Sequence, residues 1–198
     1  MEQCKNDSGK KIAVLFPGIG YTKDKPILYY AGKIAASAGY DVCRLVSFNY
    51  SPGKSIRGNE PEMRKAFLEL YKEAENQLAE IDWKEYDDIL FLSKSIGTVI
   101  GSAYAEKYNL NDKIRHILYT PLEYTFENNP KNAIGFIGTA DPWCEYQNVI
   151  RAAKEQNIKM YVYDGLNHSL ENDDNMHNLS IIKDVMEKTE EFVSGSTY

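Results

Sequence analysis

The sequence predicts an α/β fold, with a mostly parallel sheet of roughly six strands and helices on both of its faces. Apolar runs of strand length alternate along the chain with longer segments in which apolar residues recur at helical spacing. The connections are short, and the sequence has no internal repeat. The runs at 12–16 and 89–92 are continuously apolar, as strands buried on both faces are. This alternation is typical of a parallel sheet covered by helices.

Composition limits the number of domains and the kinds of partner. The 198 residues are 43 % hydrophobic, which is enough for one well-filled domain and too few for two. We therefore expect a single domain over residues 1–198, with residues 1–10 as a flexible polar lead-in. The net charge of −6 and the lack of a lysine and arginine cluster argue against nucleic acid and anionic membranes as partners.

Cysteine usage and the N-terminal residues predict the compartment. The three cysteines, Cys4, Cys43 and Cys144, are odd in number and have no metal-ligand spacing, which fits a reducing interior. The first residues lack the apolar core of a signal peptide, and no apolar run reaches membrane-spanning length. We therefore expect a soluble cytoplasmic protein.

The first half of the chain predicts two strands and two helices. They are a strand over 11–16, a helix that ends at Gly39, a strand over 41–48, a loop over 49–59 and a helix from about 61 to 81. Asp24 is placed to cap the first helix, with Pro26 in its first turn. The second helix carries one apolar stripe, made of Met63, Phe67, Leu70, Ala74, Leu78 and Ile81.

The second half predicts four more strands. These are the run that ends at Leu92 and the segments 114–119, 133–137 and 158–163, with helices after Ser95, after Pro142 and from about 176 to 193. We expect the last helix to bury Leu179, Ile182, Met186 and Val193. Residues 120–132 connect two strands without a helix, which leaves room for a loop but not for a substantial lid.

One strand passes directly into a helix in the segment Phe91-Leu92-Ser93-Lys94-Ser95-Ile96-Gly97. A turn this tight forces its apex residue, Ser95, into a strained backbone conformation. Only small residues fit two positions before and after the apex, and Ser93 and Gly97 occupy those positions. The turn lifts the Ser95 hydroxyl clear of the sheet and points the first helical N–H groups towards it.

Ser93-x-Ser95-x-Gly97 resembles the Gly-x-Ser-x-Gly nucleophile elbow of the α/β-hydrolases, with serine in place of the first glycine. In that family the acid and then the histidine follow the serine, each on a loop at the carboxyl end of a strand. Asp141 follows the fifth predicted strand and His168 follows the sixth. The resemblance therefore implies an α/β-hydrolase fold, with Ser95 as nucleophile, His168 as base and Asp141 as the orienting acid.

The resemblance also implies an oxyanion hole and a pocket. The family uses the backbone N–H of the residue after the nucleophile, here Ile96, and one from a glycine-rich turn after an early strand. Pro17-Gly18-Ile19-Gly20 resembles that turn, which makes the Ile19 N–H the second donor, with Gly20 or Tyr21 as alternatives. We expect a shallow, open pocket lined by Gly20, Tyr21, Tyr50, Leu122, Tyr124 and Trp143.

Other assignments stay open at this point. Glu123 follows the strand at 114–119, where some family members carry the acid, and it is the second candidate for that role. A metal site is conceivable, although its spacing matches no standard motif, from His168, Glu171, Asp173 and His177. Gly18-x-Gly20 lacks the third glycine of a dinucleotide-binding loop, so no nucleotide cofactor is expected.

Together these features predict a serine hydrolase that cleaves a small soluble ester or thioester through an acyl-enzyme, with no metal or organic cofactor. The similarity is to small lidless bacterial enzymes such as carboxylesterases and dienelactone hydrolases, although the latter usually carry cysteine where Ser95 stands. The partner is then a small acyl substrate. The alternative is a non-catalytic binding or scaffold protein with the same fold.

Overall fold

Among the residues that the structure describes, six strands form one sheet in which every neighbouring pair is parallel. The computed structural model describes residues 9–45, 48 and 50–195. The strands are β1 (Lys11–Phe16), β2 (Asp41–Arg44), β3 (Asp88–Lys94), β4 (Ile114–Tyr119), β5 (Ala133–Gly138) and β6 (Lys159–Tyr163). Their order across the sheet is β2-β1-β3-β4-β5-β6. The parallel sheet predicted from the alternating pattern is confirmed.

Five α-helices cover the two faces of this sheet within the described residues. They are α1 (Pro26–Ser37), α2 (Glu60–Leu78), α3 (Ile96–Lys107), α4 (Tyr146–Glu155) and α5 (Asn175–Ser194). Alternate residues of β1 face opposite sides, so that Val14 packs with α2 and α3 while Leu15 packs with α1 and α5. The helix α4 lies on the same face as α3, packed against Leu118 and Ile137. None of these helices is long and apolar enough to cross a membrane.

Two predicted boundaries near the start of the chain differ from the structure. The strand predicted over 41–48 ends at Arg44, because its partner β1 ends one residue later and leads into Pro17; residues 46, 47 and 49 lie outside the described residues, as do 1–8 of the predicted lead-in. Asp24 does not cap α1. The N-cap residue is Lys25, and the Ile27 N–H donates instead to Tyr21 Oη at 3.2 Å.

The buried residues of α5 differ in part from the predicted ones. Leu179 is 58 % exposed, whereas the helix buries Asn178, Val185, Thr189 and Val193. Its two polar members are tolerated because each is hydrogen-bonded. Asn178 exchanges two bonds with the backbone of Asn172, and Thr189 bonds Tyr119 Oη at 2.8 Å. Of the predicted residues, Val193 is buried and Ile182 and Met186 are half-buried, so the prediction is wrong only at Leu179.

The carboxyl ends of the strands meet at one edge of the sheet, because all six are parallel. The loops that follow β1, β3, β5 and β6 all leave the sheet there, and they carry the residues singled out in the sequence. The segment after β4 forms only a short 3₁₀-helix (Glu123–Asn128), so no helical insertion covers this edge from that side. The predicted absence of a substantial lid agrees with this connection.

Candidate active site

Ser95 lies at the apex of the turn between β3 and α3 in a strained conformation, with φ 57° and ψ −127°. Positive φ at a non-glycine residue costs on the order of 1–3 kcal/mol, and it persists here because the surrounding groups fix the turn. A Cβ atom on Gly97 would lie 2.3 Å from the carbonyl oxygen of Phe16, so the helix fits against β1 only with glycine at this position. The Ser95 N–H donates to the Tyr119 carbonyl at 3.0 Å.

The serine at the position of the family's first glycine is accommodated by a second glycine. Ser93 is fully buried, and a Cβ atom on Gly101 would lie 3.0 Å from its Oγ atom. The missing side chain of Gly101 therefore makes room for the Ser93 hydroxyl. That hydroxyl has no hydrogen-bond partner among the described residues.

His168 bridges Ser95 and Asp141. Its Nε2 atom is 2.7 Å from Ser95 Oγ, and its Nδ1 atom is 2.6 Å from Asp141 Oδ2. With an ionised carboxylate on one side, Nδ1 carries the proton and Nε2 is left as the acceptor for the serine hydroxyl. The Asp141 side chain is fully buried, whereas that of His168 is 15 % exposed. This arrangement can take a proton from Ser95 and hold the resulting imidazolium next to a carboxylate.

The loops that carry the acid and the base contact each other directly. The Ala140 N–H donates to the Leu166 carbonyl at 3.0 Å, and a Cβ atom on Gly138 would lie 2.0 Å from that same oxygen. The carboxylate of Asp141 is fixed by its second oxygen, which accepts the Trp143 N–H at 2.9 Å. Asp141 is therefore held by an Asx turn and is not the cap of α4, whose N-cap residue is Glu145.

The turn after β1 is closed by a pair of backbone hydrogen bonds. Gly18 and Tyr21 form an isolated antiparallel bridge in which each N–H donates to the other's carbonyl, at 3.2 and 3.1 Å. The Tyr21 N–H is thus already occupied, which leaves Ile19 and Gly20 at the tip of the turn. Ile96 is the first residue of α3, where an N–H group has no acceptor within the helix.

A cavity of about 360 Å³ opens beside Ser95 and His168. Of the pocket residues predicted from the sequence, Gly20, Tyr21, Leu122, Tyr124 and Trp143 line it. Tyr50 does not. It is 9 % exposed and lies in the core that β1 and β3 share with α2 and α3.

Comparison with known proteins identifies the architecture. The sequence matches no protein-family model and has no significant match among curated proteins. Among solved structures the chain is similar to Est1E from Butyrivibrio proteoclasticus, with 12 % identity, a TM-score of 0.61 and coverage of 96 % of this chain and 90 % of that one. It is also similar to esterase 2 from Thermogutta terrifontis, with 14 % identity, a TM-score of 0.62 and coverage of 94 % and 83 %.

A third similar structure is a serine hydrolase without a lid from Xanthomonas campestris, an α/β protein that is 14 % identical. The match covers 96 % of this chain and 84 % of that one, with a TM-score of 0.58. The chain has the α/β-hydrolase fold. The fold implied by the sequence of the elbow is thereby confirmed, including its lidless form.

Within this α/β-hydrolase fold, Glu123 and two aspartates that flank His168 in the sequence make other hydrogen bonds. The Glu123 carboxylate accepts the Glu145 N–H at 2.8 Å, immediately before α4. Asp164 accepts the Thr139 hydroxyl at 2.9 Å, and Asp174 caps the first turn of α5. His168 Nδ1 is hydrogen-bonded to Asp141, the first of the two acids proposed from the sequence.

The other histidines and the cysteines stand apart from this chemistry. His116 is fully buried in β4, and His177 contacts Asn172 at 3.2 Å on the exposed start of α5. Burial raises the pKa of the Cys144 thiol, and likewise that of Cys43, so neither is activated as a thiolate. In the described ranges no group of three or more histidine, cysteine, aspartate or glutamate side chains is placed to hold a metal ion.

One wall of the cavity was not anticipated from the sequence. Met63 and Phe67, which were predicted for the apolar stripe of α2, are half-buried and pack against the core, and they also line the cavity. The apolar residues of the first two turns of α2 line the cavity together with Ile56 and Val99. The α2 helix therefore forms one wall of the pocket.

Charged residues surround the mouth of the α/β-hydrolase cavity. Lys25 lies on the side of the turn after β1, and Glu60, Arg64 and Glu127 lie on the side of α2 and the segment after β4. Burial raises the pKa of Tyr21, so its phenol stays neutral and serves as a hydrogen-bond partner for α1. The floor near Ser95 is mainly apolar, which suits an acyl chain better than a charged group.

Proposed function

We propose that the protein is a serine hydrolase that cleaves a small ester or thioester through an acyl-enzyme intermediate. The observation that carries this proposal is the continuous chain of hydrogen bonds from Ser95 through His168 to Asp141, at 2.7 and 2.6 Å, beside an apolar cavity. The names of two neighbours in fold, an esterase and a serine hydrolase, support the same reaction class.

The proposed mechanism begins with attack of Ser95 Oγ on the acyl carbon, while His168 Nε2 accepts the hydroxyl proton. The developing oxyanion is stabilised by the backbone N–H groups of Ile96 and Ile19. His168 then gives its proton to the leaving alcohol or thiol, and the acyl-enzyme remains on Ser95. Water attacks that ester, with His168 again acting first as base and then as acid. Asp141 holds the imidazole with its proton on Nδ1 throughout.

The cavity favours small acyl groups. Its volume of about 360 Å³ lies near the lower end of ligand pockets, and no inserted lid extends it. A structure of Est1E holds ferulic acid, so short aromatic acyl esters belong beside acetyl and butyryl esters in a substrate panel. We expect turnover to fall once the acyl chain is longer than about eight carbons, because the chain then outgrows the pocket.

A fluorophosphonate probe tests the assignment of the nucleophile. The probe should modify the protein once, and peptide mass spectrometry should place the adduct on Ser95. The Ser95→Ala variant should lose both the labelling and the hydrolysis of p-nitrophenyl acetate. Ser93→Ala is the matched control, since that hydroxyl is buried in the same turn and should leave labelling unchanged.

Labelling that persists in Ser95→Ala would refute the proposed nucleophile. If the probe leaves the wild-type protein unmodified and no ester, thioester or amide in the panel is hydrolysed, the alternative of a non-catalytic binding protein is favoured instead.

A further inference from the structure

The residue between Ser93 and Ser95 is a lysine whose side chain is almost completely buried. Lys94 is 1 % exposed, and lysine is rarely found inside a protein unless its ammonium group is paired. Its Nζ atom donates to Thr120 Oγ1 at 2.5 Å and to the main-chain carbonyl of His168 at 2.6 Å. It also lies 5.0 Å from the centre of the Tyr21 ring.

These contacts join three loops that are far apart in the sequence. Thr120 follows β4, His168 follows β6 and Tyr21 belongs to the turn after β1. Thr120 has a positive φ of 44°, which a β-branched residue rarely adopts, so its hydroxyl is held in place at some cost. Tyr21 in turn pairs with Gly18 and so sets the position of Ile19. The Lys94 ammonium group thus contacts both the backbone of the base, His168, and the ring of Tyr21 in the turn that carries the proposed oxyanion donor.

Charged and titratable groups surround this ammonium from several elements. Among the opposite charges, the carboxylate of Asp141 after β5 acts on it most strongly, followed by that of Glu171 after β6, while the Lys25 ammonium opposes them. Cys144 and Tyr21 stay neutral, because burial raises the pKa of each. Burial lowers the pKa of Lys94 to about 7, and the attraction to Asp141 limits that shift.

We propose that Lys94 is a positioning residue for the proposed hydrolysis. Its side chain fixes the backbone of His168 and the turn of Tyr21 relative to Ser95. This inference rests on the proposed function. The positive charge has a second consequence, because it lies near the pair formed by Asp141 and His168. Because like charges repel, we expect the acid side of the pH profile of hydrolysis to depend on Lys94.

The test compares the wild type with Lys94→Met, Thr120→Val and the surface control Lys154→Met. The rate of p-nitrophenyl acetate hydrolysis is measured from about pH 5 to 9, and thermal melts report folding. We expect Lys94→Met to lower kcat about 10- to 100-fold with a smaller change in KM, since a displaced base affects the transition state most. The acid limb of kcat/KM should also move upward by about half a pH unit or more.

Thr120→Val keeps the ammonium and removes only one of its hydrogen bonds. It should lower kcat by a few-fold and leave the acid limb in place, which separates the effect of charge from that of loop anchoring. If Lys94→Met fails to fold, a kcat for Thr120→Val equal to that of the wild type overturns the inference. So does a folded Lys94→Met whose kcat and acid limb match those of Lys154→Met. In both cases labelling of Ser95 would persist, so the proposed function would stand.

Discussion

Two histidines on the same sheet have opposite environments. His116 lies in the middle of β4 with its ring 5.6 Å from that of Phe91, and neither of its nitrogens has a hydrogen-bond partner among the described residues. His168 lies on a loop at the carboxyl edge, where both of its nitrogens are bonded to polar side chains. Burial lowers the pKa of His116 to about 3, so it stays neutral throughout the physiological range.

The comparison shows that position in the sheet determines what a histidine can do. In mid-strand the neighbours are the side chains of adjacent strands and of the covering helices, which here are aromatic and apolar, so nothing can stabilise a charge. At the carboxyl edge the neighbours come from loops, which can present a hydroxyl and a carboxylate together. The presence of a histidine therefore does not by itself identify a base. The hydrogen-bond partners of its two ring nitrogens identify it.

Removing the carboxylate partner of His168 would make it more like His116, and we expect this to have the largest effect. Asp141→Asn keeps the size of the side chain but removes the charge that holds the proton on Nδ1. The kcat for p-nitrophenyl acetate should fall by about 10⁴-fold, with a modest change in KM. The matched control is Glu123→Gln, which retains an oxygen for the Glu145 N–H and should keep kcat within a few-fold of the wild type. A large loss in Glu123→Gln alone would reverse the assignment of the acid.

Much of the fold and the order of Ser95, Asp141 and His168 could be predicted from the sequence because those signals are local. Each residue directly follows an apolar strand, and parallel strands bring such loops to one edge whatever the details of packing. Gly97 is local in the same way, since a tight turn from strand to helix leaves no room for a Cβ atom there.

The features that sequence reasoning missed depend on how distant elements meet. Tyr50 and Phe67 are both aromatic residues outside the sheet that pack in the same core, yet Phe67 also lines the cavity and Tyr50 does not. Lys94 occupies a position of the elbow motif at which no residue type is specified. Its role becomes visible only when Thr120 and the His168 carbonyl are brought within 2.6 Å of its amine.

The unpartnered histidine predicts how stability depends on pH. The unfolded chain binds a proton at His116 near pH 6.5, whereas the folded chain resists it until about pH 3, so acid favours unfolding. The contribution of His116 to the free energy of unfolding is fully present above about pH 6.5. Below that pH it falls by up to about 1.4 kcal/mol per pH unit. Urea unfolding of the wild type and of His116→Leu at pH 7, 6 and 5 measures how the free energy of unfolding depends on pH. The variant should lose less stability on acidification, and parallel curves would contradict the assignment.

Ser93 extends the comparison to a second buried polar group without a partner, with the smallest expected effect. Its hydroxyl is next to Gly101 in an apolar environment and gains no hydrogen bond there among the described residues, so it lost its contacts with water on folding without replacement. Ser93→Ala keeps the Cβ atom that the turn accommodates and removes only the unpartnered oxygen. We expect the free energy of unfolding to rise by about 1 kcal/mol, measured by urea denaturation, with kcat unchanged. A loss of stability would mean that the hydroxyl has a partner, such as a buried water, and that its likeness to His116 fails.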